Sequence, residues 1–129
     1  GYLIGDEGPI DATEVALLWE VGSGGQWTTV ADLTRYLHAL ATSDTVFDAG
    51  LRDLILSTSS VFQYGLGVFV VETPFGPMVG HGGLSMGYST TTGYFVDHGV
   101  SIVLFGNAQG RTPITEDLFL AVRDLVFGA

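Results

Sequence analysis

Between Val61 and Ala108 the chain alternates apolar runs of strand length with breaks of only a few residues. That spacing constrains the fold more than any other feature. The runs are "VFQYGLGVFVVET", "PMVGHGG", "YSTTTGYFVD" and "VSIVLFGNA", rich in β-branched and aromatic residues, and "TPFG" and "HG" mark turns between them. Strands joined by connections this short read as an antiparallel meander.

On either side of the meander the period changes to that of a helix. Thr29 is an N-cap with Asp32 at the favourable N3 position, followed by Val30, Leu33, Leu37 and Leu40 at helical spacing. A second helix is expected from Thr45 to Ser57, with Phe47, Leu51, Leu54 and Ile55 on one face. After the strands, Thr112-Pro113 reads as an N-cap with proline at the first helical position. Ile114, Leu118, Val122, Leu125 and Val126 then form an apolar stripe ending at Gly128. Residues 1–25 show no sustained period and read as an extended lead-in, with a short strand around Val15 to Trp19 and a break at Gly22 to Gly25. The expected class is α+β: a four-stranded antiparallel meander, two preceding helices, and a C-terminal helix packed on one sheet face. The expectation is a single domain over residues 1–129.

Composition narrows the partners. The formal charge is −10, from 14 Asp and Glu against four cations, Arg35, Arg52, Arg111 and Arg123. This argues against nucleic acid, whose affinity comes largely from cations that neutralise phosphates, and against anionic membrane surfaces. The acids are scattered, as on a solvated surface. Hydrophobic residues make up 47% and mean hydropathy is +0.41. No run approaches the roughly 20 apolar residues of a membrane span, so the excess points to a surface that meets another one. There is no cysteine, which excludes disulfides, thiolate catalysis and Cys-based zinc sites.

The segment "VGHGGLSMGYS", Val79 to Ser89, admits two catalytic readings. Gly83 to Gly87 fits G-x-S-x-G, the strand-to-helix elbow that presents a nucleophilic serine, here Ser85. The residues after Ser85, however, have the chemistry of a strand rather than a helix. The only histidine beyond it is His98, beside Asp97, and neighbours on a strand point to opposite faces and cannot form an Asp–His relay. The other reading makes His81-Gly82-Gly83 a strand that lines a site without supplying the serine. On residues alone, His81 reads as a buried strand histidine bonded to a backbone carbonyl. His38 and His98 read as solvated. Three histidines so scattered suggest no metal site, and no cofactor is expected. Ser85 and Ser89 read as turn and strand hydroxyls, and Tyr88 as a packed strand aromatic. The Gly65, Gly67 pair lacks the following helix and third glycine of a nucleotide loop.

From Gly22 onward the ordered set of motifs resembles the C-terminal part of the serine β-lactamase and DD-peptidase superfamily. Within it the chain is most similar to the class C-like serine hydrolases, which include esterases and D-aminopeptidases. "GGQWTTVADLTRYLHAL" resembles the family pattern AGGLxSTAxDLARFxxAL. "YGLGVFV" and "GHGGLSMGYSTTTGYFVDHGVSIVLFGN" resemble YGLGW and GHxGxxxGFxSxxxxxPxxxxxVVVLxN. The resemblance implies that His81-Gly82-Gly83 stands at the third active-site motif, K-T-G or H-x-G, on the strand beside the nucleophile. The Leu84 backbone N–H would be one of two donors to the tetrahedral oxyanion. Glycine at 82 and 83 lets substrate lie close against the strand.

The chain departs from the family by omission. The nucleophile motif S-x-x-K needs a lysine, and there is none. The second motif, Y-x-N, is missing too: the only asparagine is Asn107, with Phe105 two residues before it. The expectation is a C-terminal segment of a larger serine-hydrolase domain, inactive alone, whose partner is the missing N-terminal portion. Unpaired strand edges further predict a homo-oligomer or strand exchange. The competing expectation is a non-catalytic binding or self-association domain that uses the sheet edge and the former cleft strand. As to compartment, the resemblance suggests a periplasmic or secreted parent, and a cytoplasmic one is also compatible.

Overall fold

The computed structural model describes residues 1–13, 22–58, 62–110 and 114–128. The elements run β1 (Tyr2–Gly5), β2 (Gly8–Asp11), α1 (Val30–Thr42), α2 (Ala49–Leu56), β3 (Phe69–Thr73), β4 (Gly76–Ser85), β5 (Tyr88–Phe95), a short 3-10 turn (Val96–His98), β6 (Val100–Gly106) and α3 (Ile114–Phe127). Four strands form one antiparallel sheet in the order β3-β4-β5-β6, the expected meander, and β1 and β2 form a separate two-stranded sheet. The class is α+β. Contacts divide the described residues into two compact units. The first draws on Gly1–Thr29, Gly82–Thr91 and Leu104–Ala129, and the second on Val30–His81 and Thr92–Val103.

The second unit holds the main apolar cluster. Leu40, Val68 and Val79 are buried, with Phe47, Ile55, Leu56 and Val70 packed around them. Helix α1 starts directly after Thr29, carries Asp32 in its first turn, and buries Leu37 and Leu40 as the spacing predicts. Helix α2 departs from expectation by starting at Ala49 rather than Thr45. The Thr45 N–H bonds to the Ser43 hydroxyl at 3.2 Å, which keeps Thr45 in a turn, and the Asp48 carboxylate caps the helix by accepting from the Leu51 N–H at 2.8 Å. Phe47 therefore packs from the loop. The helix turns Ile55 and Leu56 inward and leaves Leu51 and Leu54 exposed.

Of the described residues in the run expected as one strand from Val61 to Thr73, only Phe69–Thr73 forms a strand, with an isolated bridge between Tyr64 and Phe69. Tyr64 to Val68 make a tight turn instead, closed by Gly65 N–H to Val68 O at 2.8 Å. Strand β4 extends beyond the expected "PMVGHGG" through Leu84 and Ser85, so the turn to β5 is only Met86-Gly87. Gly87 takes φ +81 there, the left-handed region that glycine enters at least cost.

In the first unit, the segment expected as an extended lead-in begins with the β1–β2 hairpin, in register from Tyr2↔Asp11 to Gly5↔Gly8. Its strands are too short to show a period. Strand β1 is held from afar, by Ile4 N–H to Gln109 O at 2.9 Å and Gln109 N–H to Tyr2 O at 2.8 Å. Beyond β2, Thr13 donates its hydroxyl and its N–H to the Asp11 carboxylate and holds that acid below the usual aspartate range. The strand expected around Val15 to Trp19 and the cap at Thr112-Pro113 lie outside the described residues. Helix α3 buries Thr115 and Phe119; of the predicted stripe, Leu118, Leu125 and Val126 are exposed and Val122 is half-buried. Apolar residues occur around this helix, so periodicity alone did not select a face. The Thr91 hydroxyl, donating to the Thr115 hydroxyl at 2.8 Å, fixes which side turns to β5.

Leu40 sits at the centre of the buried cluster at 1% exposure, whereas Leu54 is 55% exposed. Leu40→Ala should lower unfolding stability by about 2–5 kcal/mol and Leu54→Ala by no more than about 0.5. Urea titration of the two variants checks this, and equal losses would contradict the assigned core.

Candidate active-site strand

The residues singled out by the H-x-G reading all lie on β4. Strand β3 pairs with β4 only from Thr73↔Gly76 to Phe69↔Gly80. From His81 through Ser85, β4 continues past the end of that pairing. His81, Gly83 and Leu84 are exposed and Gly82 is half-buried. This stretch is the accessible part of the strand.

His81 is not the buried histidine that its neighbours suggested. Its main chain is held by the buried Thr92, whose hydroxyl accepts from the His81 N–H at 3.1 Å and donates to the His81 carbonyl at 2.9 Å. Its ring packs at 5.7 Å from that of Tyr64 and 5.3 Å from that of Phe69, with Tyr64 Oη 2.8 Å from Nε2. Sequence reasoning missed Tyr64. The signal was present in "YGLG": Gly65 leans so close to α2 that a Cβ would stand 2.1 Å from the Ile55 carbonyl oxygen, and Leu66 N–H bonds to that oxygen at 2.9 Å. The two glycines thus serve a turn that presents Tyr64.

The glycines of β4 differ in what the fold asks of them. A Cβ on Gly80 would lie 2.1 Å from the Thr92 carbonyl oxygen, a clash with backbone. One on Gly83 would meet the Thr90 hydroxyl at 2.8 Å, a group that can rotate. One on Gly82 would meet only the Thr90 carbonyl oxygen, at 3.6 Å, in ordinary contact. Internal packing therefore requires glycine at 80 and does not require it at 82.

The elbow reading of Ser85 fails on geometry. Met86-Gly87 and then β5 come after it, with no helix. Ser89 is fully buried and donates to the Ala108 carbonyl at 3.2 Å, which leaves its hydroxyl no access to substrate. Asp97 and His98 are exposed on the 3-10 turn. His38 is exposed on α1, edge-on to Tyr94 at 5.5 Å. Tyr88 is half-buried on β5. Among the described residues no three metal-ligating side chains converge, and no helix is long and apolar enough to cross a membrane. Arg35, Arg52 and Arg123 are each paired with an aspartate, at Asp32, Asp44 and Asp124.

A family model described as Beta-lactamase matches residues 3–127. The chain belongs to the Beta-lactamase family. It is thereby a member of the serine β-lactamase/DD-peptidase superfamily and is related to its serine hydrolases. No curated protein and no solved structure matches it. The sequence His81-Gly82-Gly83 lies on the exposed continuation of β4 in this β-lactamase-family chain.

The glycine contrast is open to measurement. Gly80→Ala should destabilise the fold by about 1–3 kcal/mol through overpacking. Gly82→Ala should leave stability unchanged or raise it by up to about 1 kcal/mol, since it only restricts the unfolded chain. Thermal unfolding of the two variants decides the matter, and a large loss at Gly82 would mean that packing does require that glycine.

Proposed function

We propose that this chain supplies one wall of the acyl-transfer site of a β-lactamase-like serine hydrolase acting on an ester or amide, of β-lactam or peptide type. The carrying observation is Gly82, a bare backbone position on the exposed end of β4 that packing leaves room to substitute. A substrate lying along the strand needs that room. His81 would hold the substrate by hydrogen bonding. The Leu84 N–H would donate to the oxyanion formed when a serine attacks the carbonyl, and one such donor contributes on the order of 3 kcal/mol at the transition state. Collapse of that intermediate expels the leaving group, and water then releases the acyl group.

The serine, its lysine and the motif tyrosine would come from a segment outside this sequence, because S-x-x-K and Y-x-N do not occur in it. On this reading residues 1–129 are the C-terminal part of a larger hydrolase domain and catalyse nothing alone. Family resemblance suggests a periplasmic or secreted parent, and a cytoplasmic one is also compatible. A second reading, a non-catalytic domain that binds or self-associates, draws support from exposed apolar side chains on α3: Leu118, Leu120, Leu125 and Val126. The two predict different behaviour once the missing motifs are supplied.

Intact mass after incubation with a penicillin, and separately with a fluorophosphonate, should show no adduct on this chain; an adduct on Ser85 or Ser89 would overturn the wall reading. Joined to an upstream segment carrying S-x-x-K and Y-x-N, the chain should be acylated on the motif serine. His81→Ala should then slow acylation by about tenfold to a hundredfold, the loss of one or two hydrogen bonds' worth of stabilisation. An acylation rate indifferent to His81→Ala would remove that residue from the site. Light scattering on the joined protein addresses self-association, and persistent oligomers without acylation would favour the second reading.

A further inference from the structure

His81 is exposed, yet it is restrained on two sides. The Thr92 hydroxyl takes both its backbone N–H and its carbonyl. On the other side, Tyr64 and Phe69 pack edge to face at 4.7 Å and both rings lie against the imidazole. Tyr64 is brought there by main-chain geometry. It bridges Phe69 in antiparallel fashion, and Phe69 is in register with Gly80, the residue before His81. The turn between Tyr64 and Phe69 is itself tied to the end of α2 at Ile55. The 2.8 Å contact between Tyr64 Oη and His81 Nε2 is thus built from three backbone constraints.

The chemistry of the pair sets its direction. A phenol, with a pKa of about 10, is a far stronger acid than a neutral imidazole N–H, and an unprotonated imidazole nitrogen is a far better acceptor than a phenol oxygen. The Tyr64 O–H therefore donates to Nε2, and the proton of the neutral ring resides on Nδ1. We propose that Tyr64 is a positioning residue that fixes the His81 ring orientation and holds it in the Nδ1–H tautomer. The catalytic meaning of this rests on the reading of His81 as a substrate-facing residue. On that reading Nε2 is occupied by Tyr64, so His81 acts as an oriented hydrogen-bonding group and not as a base through Nε2. Tyr64 then tunes the strand without touching the reacting atoms.

The test is ring-nitrogen NMR on the full chain labelled with 15N-histidine, above about pH 8, where ordinary imidazoles are neutral. Long-range proton–nitrogen correlations should show His81 with Nδ1 protonated and Nε2 bare. In Tyr64→Phe, which keeps the aromatic ring and loses only the hydroxyl, His81 should shift to mostly Nε2–H, while His38 and His98 keep their signals. Phe69→Leu, which alters the ring packing and spares the hydroxyl, should leave the Nδ1–H form dominant. A wild-type ring already protonated at Nε2 overturns the proposal without any variant, and so does an identical tautomer in wild type and Tyr64→Phe. Failure here is distinct from failure of the functional reading. If His81→Ala slows acylation in the joined protein while the tautomer ignores Tyr64, only the positioning role is lost. If the tautomer depends on Tyr64 and acylation ignores His81, the pair is real and His81 lies outside the site.

Discussion

The arrangement of the candidate site depends on how closely β4 and β5 approach at Gly80. The Thr92 carbonyl oxygen occupies the place where any side chain at residue 80 would begin. That approach puts the Thr92 hydroxyl within reach of both backbone groups of His81. A hydroxyl that both accepts and donates at one residue acts as a local clamp on the strand, at a point where Thr92 is itself buried. Further along β5, Tyr94 and Phe95 are buried as well. The clamp is therefore anchored in packed structure, and it fixes the strand at the residue where β4 outruns β3.

The glycines of this chain sort into kinds by what surrounds them. Gly65 and Gly80 yield to an approaching carbonyl oxygen, while Gly67 and Gly87 adopt a left-handed turn conformation. Each of these has a reason internal to the fold. Gly82 has neither a clash nor a positive φ. An unexplained glycine on an exposed strand costs backbone entropy on folding and returns nothing in packing. Under the proposed function, room above the strand would be the gain that balances it, and that is why Gly82, rather than the better-packed Gly80, supports the functional reading.

Much of the architecture was legible because it is written in local patterns. The meander followed from strand-length runs and short breaks, and α1 from its cap and apolar spacing. What was not legible depended on distant partners. Strand β1 of the hairpin exchanges backbone hydrogen bonds with Gln109, far along the chain, and both strands are too short to show a period. The face that α3 buries is set by a hydroxyl pair, Thr91–Thr115, on a helix apolar on several sides. Helix α2 starts at Ala49, where the Asp48 carboxylate caps it, while Thr45 is held in a turn by Ser43. His81 was legible as a motif position and misread in its surroundings. Its flanking sequence, Val79-Gly80 and Gly82-Gly83, suggests burial, but the end of β3 at Phe69 leaves it open.

That combination of openness and restraint bears on what the strand is for. Fixing an exposed side chain loses rotamer freedom and gains little, since water would satisfy its polar atoms equally well. Surface histidines are therefore ordinarily left to move, as nothing in stability favours holding them. Here the backbone is clamped by Thr92 from β5, and the ring is held by Tyr64 from a turn that is itself tied to α2. Three separate elements converge to orient one imidazole that the fold does not need for its core. Packing against Tyr64 and Phe69 contributes some stability of its own, and under the proposed function the same restraint would present the imidazole to substrate in one orientation. On that reading, pre-orientation would move the entropic cost from the moment of binding to the moment of folding, where the packing around Val68, Val79 and Leu40 can offset it.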